Sequence, residues 1–247
     1  MCKSGPTSLV AWGIAAVIAV HVIGRGKKFD KMAGYFILVY ITVQLLEFFV
    51  WVERKRNGLS ASADEALDLA AEACNHEKNE PSGEFWTRLI FIALWLQPLA
   101  QMYLAYKYGR GYKKQLLVLT MVYFILFIWA IVQATDPNST WFSQPGTECN
   151  SQDKCAGGHL LWYRSDNKDG FVGPAAGLYL FGLFFGLLFM EPKQYGWLLI
   201  AFGGLLAIYS ARNFASKEFS TMWCIYAVFW AFLVLIMSYG TKVPGRD

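Results

Sequence analysis

Apolar residues in this chain come in long runs broken by short polar and charged stretches, without the alternating rhythm of a half-buried strand. Seven runs read as membrane-crossing helices: Leu9 to Gly24, Ala33 to Val52, Trp86 to Tyr106, Gln115 to Gln133, Gly173 to Met190, Tyr195 to Ala211, and Phe219 to Tyr239. Each lies close to the length of about 20 residues that crosses a hydrocarbon core. Only Glu191, Pro192, Lys193 and Gln194 separate the fifth run from the sixth. The residue before a proline avoids the helical region and the proline has no amide to donate, so a tight turn between two short spans is predicted there. The first run begins close to Met1 and competes with a cleaved secretory signal. Only Lys3 precedes it and no small-residue cleavage pattern follows before Arg25, which predicts a retained first helix.

Composition points the same way. Hydrophobic residues make up 55% of the 247 and charged residues 16%, against about 45–50% and about 25% in a soluble domain. So few charges cannot solvate a globular surface. The same figures exclude a disordered chain, a collagen, a coiled coil and a secreted disulfide knot. With no long polar tract for a separate soluble domain, the pattern predicts an all-α, polytopic bundle of seven transmembrane helices. It forms one domain over residues 1–247, with larger loops at 53–85 and 134–172.

Orientation follows from where Lys and Arg collect in short loops. The first loop holds Arg25, Lys27, Lys28 and Lys31, and the third holds Lys107, Arg110, Lys113 and Lys114. Both are expected on the cytoplasmic side. An odd number of spans then leaves the N-terminus outside and the C-terminal tail, with Lys242 and Arg246, inside. Arg54, Lys55 and Arg56, at the outer end of the second span, oppose this assignment.

Cysteine placement supports it. Cys2, Cys74, Cys149 and Cys155 all fall on the outer side, where disulfides persist, and Cys149 with Cys155 is the leading candidate pair. Free thiols are the alternative. Asn138-Ser139-Thr140 in the same loop is a glycosylation acceptor usable only outside the cytosol. In the second loop, Asp64, Glu65, Asp68 and Glu72 recur at helical spacing in an alanine-rich stretch. This reads as a solvated helix face, since the alternating ligands and glycine of a calcium loop are missing. Trp141, Phe142, Trp162 and Tyr163 of the fourth loop read as interface anchors.

An ionisable side chain inside hydrocarbon is costly, which makes it a functional hypothesis. Glu47 is the acidic residue well inside a predicted span, and Gln44, Glu47 and Trp51 share one helical face. That face is expected to look inward. The third span carries Gln97-Pro98 and then Gln101, where the proline frees a carbonyl one turn earlier and kinks the helix. Arg88 and Arg212 are candidate counter-ions. The competing reading is a hydrogen-bond cluster that only fixes helix packing. Trp223 and Cys224 read as packing residues.

Several chemistries find no support. A retinal Schiff base needs a lysine inside the last span, and Phe219 to Tyr239 has none. His21, His76 and His159 are scattered, unlike a zinc site. No phosphate-cradling loop, nucleophile elbow or haem-type histidine pair is present, so an enzyme is unsupported and no cofactor is indicated. The net charge of +4 is accounted for by the inner loops and does not call for nucleic acid. The partners that fit are the lipid bilayer, a small solute or ion, and further copies or other chains of a membrane complex.

Two resemblances accompany this reading. Glu84-Phe85-Trp86-Thr87 and Tyr108-Gly109 bracket the third span, as Glu218-Phe219-Ser220-Thr221 and Tyr239-Gly240 bracket the seventh. Such parallel repeats resemble the layout of the small seven-helix sugar transporters, although their proline-glutamine signature is replaced here by the reverse order, Gln97-Pro98. More closely, the chain resembles a family of uncharacterised multi-span proteins of large DNA viruses and microbial eukaryotes. The residues that carry this are Met1-Cys2, Phe29-Asp30-Lys31, Gln44-Leu45-Leu46-Glu47 with Trp51, Gln97-Pro98, and Met222-Trp223-Cys224. This resemblance implies no known activity; it implies that Gln44, Glu47 and Gln97 belong to a shared core. The combined expectation is a solute or ion permeation protein. The alternative is a receptor-like ligand binder or an accessory subunit that transports nothing.

Overall fold

A computed structural model describes residues 5–56, 84–136, 144–146, 161–163, 174–213 and 223–240. The protein is helical throughout its core: α1 (Gly5–Gly24), α2 (Lys28–Tyr40), α3 (Thr42–Arg56), α4 (Glu84–Tyr108), α5 (Lys113–Thr135), α6 (Pro174–Phe185), α7 (Lys193–Asn213) and α8 (Trp223–Gly240). A 3-10 turn over Gly186–Phe189 extends α6, and the Glu191–Pro192 peptide that follows, the predicted turn, is cis. Four stretches are long and apolar enough to cross a membrane: Gly5–Gly24, Lys28–Glu53, Phe85–Tyr108 and Lys113–Thr135. Gly177–Phe189 and Ala227–Gly240 are shorter apolar helices. A two-stranded antiparallel ladder pairs β1 (Gln144–Gly146) with β2 (Leu161–Tyr163). It lies in a stretch read from sequence as loop, where Leu161-Trp162-Tyr163 is a short run of strand-forming residues.

The second span departs from expectation in two ways. It starts at Lys28, ahead of the apolar run that begins at Ala33, and it is broken at Ile41 into α2 and α3. The break falls in a β-branched stretch, Val39, Ile41, Thr42 and Val43, whose side chains crowd the preceding turn. The Thr42 hydroxyl donates to the Leu38 carbonyl at 3.0 Å, and the Gln44 amide turns to Ile41 O at 3.0 Å. Gln44 N would otherwise serve Tyr40 O, so the break frees that carbonyl.

With α2 and α3 counted as one broken rod, successive rods run in alternating directions. At one end Arg25, after α1, reaches Ser238 O on α8; Tyr35 of α2 stacks on Tyr108 of α4; and Arg110 pairs with Glu191 at 2.6 Å before α7. At the other end Gly5 of α1 lies against Trp51 of α3, Phe49 stacks on Trp86 at the start of α4, and Arg88 donates to Ala134 O at the end of α5. The main core joins α1, α2, α4, α6, α7 and α8 with Leu116 of α5, and smaller clusters lie between α3 and α4 and between α4 and α5. α4 is the central rod, packed on α2, α3, α5 and α6. Outward, α1, α5 and α8 expose large apolar side chains such as Val17, Val118, Ile125 and Ile236. Patches of this breadth are unstable in water and natural in lipid.

Candidate functional site

The face of α3 predicted to look inward does so. Gln44, Glu47 and Trp51 are 0%, 2% and 3% exposed, along with Val43 and Val50, while Val52 faces out. Helical spacing places the three polar side chains one above another between α1 and α4. Gly5 lets α1 close on them, since a Cβ there would lie 3.1 Å from Trp51 Cβ. Ser8, one turn along α1, and Thr87, in the first turn of α4, are buried in the same half of the bundle. Neither was singled out by sequence, because serine and threonine are common in spans and carry no charge.

α4 supplies the rest. Gln97 Nε2 donates to Tyr40 O at 3.1 Å, and the Tyr179 hydroxyl of α6 donates to Gln97 Oε1 at 2.5 Å. The carbonyl freed at the α2–α3 break thus finds its partner in Gln97, and one amide ties α2, α4 and α6 together. Pro98, inside α4, cannot bond the Leu94 carbonyl. It meets the backbone of α6 at Gly182, where a Cβ would stand 2.5 Å from Pro98 Cβ and 2.6 Å from the Tyr123 ring. One turn further, Gly186 makes room for Gln101, whose Cγ lies 2.7 Å from a notional Cβ. Gln101 is fully buried.

Among the described residues, Gln44 Oε1 and Nε2, Gln101 Oε1 and Nε2, and Trp51 Nε1 are buried and make no hydrogen bond. Asp30 Oδ1 and the Tyr40 hydroxyl oxygen, both on α2, are the other buried side-chain atoms without a hydrogen bond among the described residues. Buried polar atoms are nearly always paired, and five of these seven lie on α3 and α4.

Glu47 and Gln97 are both buried on neighbouring helices, but the polar atoms of Gln97 go to Tyr40 and Tyr179. Arg88 donates to Ala134 O at 2.5 Å and to Asp136 O at 3.3 Å, where it caps the carbonyl end of α5. Arg212 belongs to α7, but its side chain lies outside the described residues, as do Cys2, Cys74, Cys149, Cys155, Asn138, His76 and His159. Cys224 is in the first turn of α8.

A second buried acid escaped the sequence reading. Asp30 is 0% exposed, and its Oδ2 accepts from Arg25 Nε at 3.1 Å. Arg25 also donates to Ser238 O at 2.8 Å, and its guanidinium sits 4.1 Å from the Tyr239 ring centroid. His21 Nε2 and the Tyr239 hydroxyl are 3.0 Å apart. These contacts fasten the α1–α2 corner to the end of α8. The signal was present in Arg25 and Asp30 at a spacing of five, but Asp30 stood outside the apolar run. Among the described residues, no group of three or more His, Cys, Asp or Glu is placed to hold a metal ion.

The chain matches no protein-family model, no curated protein and no solved structure.

Proposed function

We propose that this protein is a seven-span membrane protein, N-terminus outside and C-terminus cytoplasmic, that carries a small solute or ion across the bilayer. The observation behind the proposal is the carboxyl of Glu47, 2% exposed, on one helical face with Gln44 and Trp51; the Gln44 amide and the Trp51 indole nitrogen make no hydrogen bond among the described residues. A helix that served only to pack would bury apolar groups there, because each polar group hidden from water must recover its hydrogen bonds. Glu47 supplies charge or a proton site, and the Gln97-Pro98 kink offers backbone polarity to the path. The basic end of the bundle, with Arg25, Lys27, Lys28, Lys31, Lys107, Arg110, Lys113, Lys114 and Lys193, is the cytoplasmic end in this reading.

Purified protein in sealed vesicles tests the proposal through solute and proton flux. Glu47→Gln keeps the shape and removes the titrating group, so it changes flux severalfold or flattens its pH dependence. Flux identical to the parent at every pH, in protein that elutes and unfolds normally, overturns it.

A second reading is an accessory or ligand-binding membrane protein that transports nothing. Its support is the pairing of both polar atoms of Gln97 across three helices, a packing role, and the broad apolar face of α5, which can receive another chain. Co-purification of a stoichiometric partner, with no flux in vesicles, favours it.

A further inference from the structure

Tyr179, Gln97 and Tyr40 form a crossbar through the middle of the bundle. α3 and α4 run in opposite directions, with Phe49 against Trp86 and Tyr35 against Tyr108. Gln44, one turn beyond Tyr40, therefore lies toward the Trp86 end. Gln101, one turn beyond Gln97, lies toward the Tyr108 end. At 1.5 Å per residue each stands about 6 Å from the level of the crossbar, on opposite sides of it. Both amides are fully buried, and all four of their polar atoms lack a hydrogen bond among the described residues. Two amides with unmet donors and acceptors thus flank one amide whose nitrogen and oxygen are both bonded.

We infer that the Tyr179–Gln97–Tyr40 crossbar is a closed gate between two half-sites, at Gln44 and at Gln101, for a small uncharged solute that both donates and accepts hydrogen bonds. Urea and short polyols have that chemistry. This deepens the permeation reading and rests on it. The class of solute follows from the groups left unmet: amide N–H and C=O on both sides, with the Trp51 indole N–H added on the Gln44 side. A cation passing Glu47 would next meet the neutral amides of Gln97 and Gln101, and the buried acid beyond, Asp30, has one carboxyl oxygen paired with Arg25. The moving part is α6. It approaches α4 through glycines, Gly182 on Pro98 and Gly186 on Gln101, so backbone rather than interlocked side chains forms the seam. Tyr179 is the link from α6 to the gate amide. Gln97 keeps its bond to Tyr40 O when Tyr179 withdraws.

The full chain in vesicles is tested by stopped-flow light scattering with urea and glycerol, and by a potassium-leak assay. Tyr179→Phe removes the gate hydroxyl and keeps the ring. It raises urea and glycerol flux by roughly five- to tenfold, the scale of one lost hydrogen bond, and leaves potassium leak unchanged. Adding Gln101→Leu to that variant returns the flux to the parent level. If Tyr179→Phe does not fold, Gln97→Asn shortens the gate amide and removes its bonds to both Tyr179 and Tyr40 O, again raising urea and glycerol flux. Unchanged urea and glycerol flux in the folded gate variant, while Glu47→Gln alters transport, overturns the gate and spares the permeation reading. No effect from either substitution overturns both. A rise shared equally by potassium overturns the uncharged class.

Discussion

Arg25 and Asp30 show how one contact can set the boundary of a helix. The apolar run of the second span begins at Ala33, yet α2 starts at Lys28 and carries Asp30 into the bundle. A carboxylate survives there because Arg25 comes from the preceding turn, whose Gly26 adopts a φ of +81° that other residues rarely take. Breaking a buried pair from one side leaves an uncompensated charge. Arg25 is partly exposed, so Arg25→Ala is expected to cost about 2–4 kcal/mol, somewhat below the range for a fully buried pair. The measurement is the unfolding midpoint in detergent. Asp30→Asn placed on top of Arg25→Ala recovers part of the loss, because the orphaned charge goes with it. An unchanged midpoint in Arg25→Ala removes the structural role assigned to the pair.

At the scale of elements, the bundle closes through small residues where polar groups must meet. Gly182 is the tightest of these against α4 and α5, with Pro98 Cβ and the Tyr123 ring both too close for a side chain. The Tyr123 hydroxyl donates to Leu178 O at 2.7 Å, so the ring cannot swing aside without giving up that bond. Gly182→Val therefore lowers stability by about 1–3 kcal/mol through overpacking, read as a drop in thermal midpoint. Gly177→Ala, on the same helix with nothing within 4 Å of a Cβ, leaves it unchanged or raises it slightly through better helix propensity. Equal effects from the two substitutions would contradict the packing described for α6. Helix positions were readable from apolar run length, and the inward face of α3 from the spacing of Gln44, Glu47 and Trp51. The break at Ile41 was not readable, because β-branched residues populate unbroken spans as well. Nor was Tyr179 as the partner of Gln97, since a pairing 82 residues apart in sequence has no local signature. The Gln97-Pro98 pair was conspicuous as a kink, and its partner proved to be a carbonyl freed on another helix.

For the molecule as a whole, surface and interior are distinguished by what they bury, not by polarity alone. α5 offers one side to α4 and turns Val118, Met121, Val122 and Ile125 outward, with Ile125 65% exposed. In a soluble protein this face would promote aggregation; in a bilayer it is the lipid-facing wall. A charge near the middle of such a helix opposes insertion by about 2.5–3.5 kcal/mol. Ile125→Arg is accordingly expected to reduce the membrane-integrated fraction of newly made protein in a carbonate-extraction assay. Thr120→Ser, a near-isosteric change on the opposite, buried side, leaves integration intact. Integration of Ile125→Arg at the parent level would point instead to a protein contact or a water-facing position at this site.

The break between α2 and α3 has a consequence for biosynthesis. The Tyr40 carbonyl is released by the local backbone, and the amide that receives it lies 57 residues later in the chain. In the membrane-spanning arrangement proposed above, a nascent polypeptide leaving the ribosome holds its second span with one backbone oxygen unsatisfied until the third arrives. Lipid offers that oxygen nothing, so the translocon or a chaperone has reason to retain the early helices until Gln97 emerges. A ribosome-bound intermediate truncated before that residue should remain crosslinkable to the insertion machinery, whereas one extended past it should be released into the bilayer.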